Sequence, residues 1–115
     1  MLRGGGIYNG VRGTLTVTGV SGNPLIITGN TVTGTLLGLF GSGRGGGIAA
    51  VNSTATTLTQ TAVTVNHAGG LLTLGDTAGG VYREGGTMTT TNSPISANTP
   101  NNCVGSSPAV PNCTG

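Results

Sequence analysis

The residues able to do acid–base chemistry are few. Asp76 and Glu84 are the only carboxylic side chains and His67 is the only imidazole. Two carboxylates held roughly 5 to 10 Å apart would form the acid and base pair of glycoside cleavage. Both stand among turn-forming residues, which suits solvated corners better. His67 has no second ligand or nucleophile near it in sequence, so a metal or catalytic role lacks its partners. Arg83 lies beside Glu84 and suits a weak surface pair. The run GSGRGG at 41–46 has the outline of GxGxxG, but the next residues read IAAVNSTATTLTQT, too rich in β-branched side chains for the helix that receives a pyrophosphate. The run LGDTAGG lacks the GGxGxD repeat of calcium-binding solenoids. The expectation is a non-catalytic chain with no metal and no cofactor.

Cys103 and Cys113 are the only cysteines. Two thiols this close suit a local disulfide in an oxidising compartment better than a metal site, for which ligands are too few. They sit in a segment, 100–115, where Pro100, Pro108 and Pro111 with Asn, Ser and Gly forbid a continuing strand. A Cys103–Cys113 bridge would close that loop and pin it to the residues before it, contributing on the order of 2 to 3 kcal/mol. This favours an extracellular or cell-surface chain. No signal-peptide pattern opens the sequence, so the expectation is that the chain is the last part of a longer exported one.

The rest of the chain must supply a frame, and its composition restricts which. With 24 Gly among 115 residues, 3% aromatic and 5% charged, a compact two-layer core is not expected. Four Arg and no Lys give a net charge of +2, too little to neutralise several phosphates, so nucleic acid is not an expected partner. The longest apolar run, at 36–40, has the size of a strand and not of a membrane span.

Periodicity supplies the frame. GTLTVT at 13–18 and GTMTTT at 86–91 alternate at period two, sending Thr14, Thr16 and Thr18 to one face, with Thr87, Thr89 and Thr91 repeating the row. The middle segment, 56–61, matches less cleanly because Leu58 falls where Thr90 does. GGGIYN at 4–9 returns as GGGIAA at 45–50 and GGVYRE at 79–84. A second feature accompanies it: VTGT from Val32, VTVN from Val63 and ISAN from Ile95, spaced by 31 and then 32 residues. The first feature is spaced by 41 (Ile7 to Ile48) and then 33 (Ile48 to Val81), which places about eight extra residues in the first repeat, near 20–24.

Such a period means stacked repeats, each too small to bury its own inward residues. Equivalent positions then form ladders: Ile7, Ile48 and Val81; Leu25, Thr56 and Met88; Val32, Val63 and Ile95. Asn66 and Asn98 become turn asparagines that hydrogen-bond backbone or each other. The expected fold is all-β, a single-stranded right-handed parallel β-helix (β-solenoid) of about three to four coils over 1–99 (repeats about 4–44, 45–78 and 79–99), with a C-terminal loop over 100–115. Exposed coil edges at both ends would invite end-to-end self-association.

The pairing of GGGI with a closing (V/I)xxN resembles the bacterial right-handed parallel β-helix repeat proteins. It is similar to the GGA(I/L/V) and FxxN pair of chlamydial polymorphic outer-membrane proteins, with Val or Ile replacing Phe and Thr35 standing where Asn is expected. The tail, SPISANTPNNC then VPNCTG, resembles the ends of secreted actinobacterial β-helix proteins. The resemblance covers about 4–115 and implies a fold that serves adhesins, autotransporter passengers, lyases and hydrolases alike.

The expected function is a non-catalytic structural or adhesive surface segment of an exported bacterial protein, with glycans or cell-surface components as partners. Its contact residues would be Tyr8 and Tyr82, which could stack on sugars, and Thr16 and Thr89 in the outer rows. The alternatives are a fragment of a polysaccharide lyase or glycoside hydrolase whose active coils lie elsewhere, and an ice-binding solenoid, which regular TxT arrays resemble.

Overall fold

The computed structural model describes residues 2–33, 43–69 and 78–115. Asp76, Thr35 and the apolar run at 36–40 lie outside them. The described chain is all-β: β1 (Leu2–Arg3), β2 (Ile7–Asn9), β3 (Thr14–Thr18), β4 (Leu25–Thr28), β5 (Thr31–Thr33), β6 (Gly43–Arg44), β7 (Ile48–Val51), β8 (Ala55–Thr59), β9 (Thr61–Thr64), β10 (His67–Gly69), β11 (Val81–Glu84), β12 (Thr87–Thr91) and β13 (Ile95–Ser96). Every pairing between them is parallel. The sheets run β2-β7-β11, β3-β8-β12 and β4-β9-β13, with the two-stranded pairs β1-β6 and β5-β10.

Strands with short connections cannot pair in parallel with their own sequence neighbours. Each therefore pairs with the strand one repeat away. Ile7 pairs with Ile48 and Ile48 with Val81. Leu15, Thr56 and Met88 form a second column, and Val17, Leu58 and Thr90 a third. The expected place of Leu25 in the second column is thus taken by Leu15, and Leu25 pairs with Thr61.

The ladder expected from Val32 through Val63 to Ile95 is also corrected. Val63 pairs with Ile27 and Ile95, whereas Val32 pairs with Ala68. The cause is the insertion. Thr18 faces Thr59, 41 positions on, but Leu25 faces Thr61, only 36 on. Five extra residues, not eight, are accommodated between β3 and β4, where Val20 and Asn23 exchange both backbone hydrogen bonds (Asn23 N–H to Val20 carbonyl, 3.0 Å) and fold the excess into a tight excursion. Matching VTGT to VTVN by their letters skips this offset.

The inward columns make the core. Ile48, Leu58, Val63, Val81, Met88 and Ile95 are buried in one cluster, with Ile7, Leu15, Val17 and Ile27 packed partly buried against it. Full burial of such a side chain is worth about 1.5 to 3 kcal/mol, and no repeat could bury its own alone.

The GGG(I/V) feature has a specific cause. Gly5, Gly46 and Gly79 stand one above another; a Cβ on Gly5 would overlap the carbonyl oxygen of Gly46, one on Gly46 that of Gly79, and one on Gly79 that of Thr99, the register counterpart of His67. Backbones approach there too closely for any side chain.

Between β9 and β10 the chain turns at Val65, which has a φ of 55°, and the matching positions Gly29 and Ala97 have φ of 71° and 56°. The next residue, an asparagine, stabilises this left-handed corner. Asn66 Nδ2 donates to the Thr64 carbonyl at 3.1 Å and Asn98 Nδ2 to that of Ser96 at 3.0 Å, each bridging back across the turning residue. The asparagines also link to one another. Asn30 Nδ2 donates to Asn66 Oδ1 and Asn66 Nδ2 to Asn98 Oδ1, both at 3.0 Å. The first member is Asn30, in IITGN, so the place assigned to Thr35 is filled five residues earlier.

The loop after β13 covers the far edge. The carbonyls of Asn101 and Asn102 accept from Gly79, Gly80 and Val81, and Ser107 both donates to Arg83 and accepts from Gly85 along the edge of β11. Thr90 on β12 donates to the Pro111 carbonyl and receives Asn112 Nδ2. Val110 is buried in the core, and the Cys103–Cys113 disulfide closes the loop. Of the two ends expected to be open, this one is occupied by the chain itself.

Candidate functional site

Among the described residues, the outward face of β3-β8-β12 is regular along both the strands and the pairing direction. Alternation along each strand turns Leu15 and Val17, Thr56 and Leu58, and Met88 and Thr90 inward. What remains outside falls into three aligned ranks: Thr14, Ala55 and Thr87; Thr16, Thr57 and Thr89; Thr18, Thr59 and Thr91. Eight of the nine positions are threonine. Leu58 does stand over Thr90, but in an inward column, so the middle strand does not interrupt the array as the sequence suggested. Thr57 and Thr59 were missed for that reason; counting alternate residues from Ala55 would have found them.

The inward and outward threonines use their hydroxyls differently. Thr56 receives Asn9 Nδ2 at 2.9 Å, Thr61 donates to the Thr59 carbonyl at 2.9 Å and Thr90 donates to Pro111. None of the eight outward hydroxyls has a hydrogen-bond partner among the described residues. They are left to solvent or to a ligand. The face carries no charge, and its β-branched side chains have restricted χ1, so each position shows a methyl and a hydroxyl in a limited set of directions.

The two tyrosines do not form a second surface. Tyr8 and Tyr82 share a column, separated by Ala49. Tyr8 is 53% exposed, but Tyr82 is 2% exposed. Its hydroxyl receives Arg44 Nη1 and donates to Glu84 Oε1, both at 2.9 Å, while the Arg44 guanidinium lies 5.2 Å from the ring centroid. Stacking of Tyr82 on a sugar is thereby excluded, because both its face and its tip are engaged.

Glu84 is engaged as well. Its Oε1 lies 3.5 Å from Arg3 Nη2. Arg3 and Arg44 are register partners on β1 and β6, so the carboxylate offsets the repulsion of two adjacent cations. The partner expected from sequence was Arg83, which instead donates to the carbonyls of Ala109 and Gly86. The four residues Arg3, Arg44, Tyr82 and Glu84 clasp the β1-β6 pair to β11; nothing in the linear order of the sequence puts them together.

His67 is exposed on β10 and pairs through its backbone with Thr31 and Thr99. Asn66 and Asn98 are buried and occupied by the corner bonds described above. The described part of the GxGxxG outline, Gly43 to Gly46, runs into strand β7. Among the described residues no three His, Cys, Asp or Glu gather to hold a metal ion, and no helix is long and apolar enough to cross a membrane. No protein-family model, curated protein or solved structure matches this chain.

Proposed function

We propose that the chain is a non-catalytic structural or adhesive segment of an exported protein, wound as a right-handed parallel β-helix, which acts through the threonine face of β3-β8-β12. The winding is supported by parallel pairing of every strand with its counterpart one repeat away and by the asparagine corner repeated at Asn30, Asn66 and Asn98. The disulfide is compatible with an extracellular place. The observation that carries the function is the three-by-three array itself: an uncharged, in-register set of threonines is far more ordered than a sheet needs in order to fold.

The test is retention of the protein on insoluble polysaccharide particles and on other solid surfaces, comparing the wild type with Thr57→Lys at the centre of the array. Loss of retention in a variant that keeps its circular dichroism spectrum supports the face as the binding surface. Equal retention removes it.

The reading as a lyase or hydrolase fragment draws less support, because Glu84 is tied to Arg3 and Tyr82. Turnover of a polyuronate by this chain, abolished in Glu84→Gln, would reinstate it.

A further inference from the structure

We infer that the ligand of the threonine face is ice, held through water ordered on the array; this rests on the reading of that face as the binding surface. Parallel strands lie about 4.7 to 4.9 Å apart, and successive outward residues along one strand lie roughly 6.6 to 6.8 Å apart. The face is therefore a nearly rectangular net with two fixed repeats, both of the size of oxygen–oxygen repeats on the faces of an ice crystal. A soluble glycan has no such lattice and is held by concave or aromatic surfaces. The array has no aromatic residue.

Chemistry points the same way. A methyl beside a hydroxyl at each position lets water close over the methyl while the hydroxyl anchors it. The eight hydroxyls have no partner among the described residues, whereas the inward Thr56, Thr61 and Thr90 are all engaged. Charged side chains, which would impose their own hydration, are absent from the nine positions. The strands are fixed by backbone pairing on both sides of β8, so little ordering of the protein accompanies binding. Ala55 keeps the methyl of its rank and loses only the hydroxyl.

The experiment is ice growth in solutions of the full chain, read as thermal hysteresis and crystal shaping. Thr57→Lys and Thr16→Leu disturb the array, and Thr64→Lys, on the neighbouring sheet, serves as the control. The expected result is shaped crystals and measurable hysteresis for the wild type and Thr64→Lys, with most of the hysteresis lost in both array variants while circular dichroism is unchanged. Hysteresis that survives in folded Thr57→Lys and Thr16→Leu overturns the inference. Unaltered ice growth by the wild type overturns it too. If that same protein is retained on polysaccharide particles and Thr57→Lys is not, the surface reading stands without ice; if it binds neither, both fall.

Discussion

Asn98 donates from Nδ2 to Oδ1 of Asn102, only four residues along the chain, at 3.0 Å. This is the same bond, at the same distance, that Asn66 makes to Asn98 across 32 residues. The backbone N–H groups behave alike: Asn66 donates to Asn98 Oδ1 and Asn98 to Asn102 Oδ1. The terminal loop thus supplies the next member of a ladder whose repeats have run out, and it does so at the edge where β11 would otherwise be unpaired.

The ladder predicts a graded response to truncation. Asn66 is buried, with bonds to Ile27, Thr64, Asn30 and Asn98. Asn66→Ala leaves several buried groups unpaired and should cost about 3 kcal/mol or more. Asn30 is half-buried at the near end, and Asn30→Ala should cost about 1 kcal/mol. Urea denaturation of the two variants checks the order.

Val65 is a β-branched residue held at a φ of 55° and 62% exposed. A left-handed backbone costs such a residue about 1 to 2 kcal/mol, and little packing is lost with its side chain. Val65→Gly should raise stability by about 0.5 to 1 kcal/mol, net of the added flexibility of the unfolded chain. The urea midpoint should move upward.

Gly46→Ala tests the close approach behind GGG(I/V). A Cβ there would overlap the backbone of Gly79 and His67, which should cost roughly 2 to 3 kcal/mol. Gly22→Ala provides the contrast: Gly22 has a φ of 83° with open space around its Cβ position, so only conformational strain of about 1 kcal/mol is expected. Thermal unfolding of both variants separates crowding from strain.

Opening the disulfide should loosen the cap before the rest. Cys113→Ser is expected to cost about 2 to 3 kcal/mol. Hydrogen exchange should locate the change: the amides of Gly80 and Val81, which donate to Asn102, lose protection, while Ile48, which donates to Gly80, keeps it.

What the sequence revealed depended on whether a feature was carried by local pattern or by register. The period-two alternation around Leu15 and Met88 announced the strands, and the spacing of GGG(I/V) placed Ile7, Ile48 and Val81 in one column, because no insertion separates that motif from its own strand. The second ladder failed at Val32, since the five extra residues accommodated between Thr18 and Leu25 have no signature in the letters of the repeat. Asn30 was legible in principle, as Ile27 with an asparagine three residues on matches Val63 and Asn66. Tyr82, Arg44, Arg3 and Glu84 come together only through pairing of distant strands, so their clasp had no local signal.

Pairing of residues one repeat apart underlies the core, the asparagine ladder and the threonine face alike, and methyl-resolved nuclear Overhauser spectroscopy reads it directly. Val63 methyls should show contacts to Ile27 and Ile95, and Thr57 methyls to Thr16 and Thr89. Contacts from Val63 to Val32 in place of Ile27, or from Thr57 to neither threonine, would contradict the register and with it the face on which the proposed function rests.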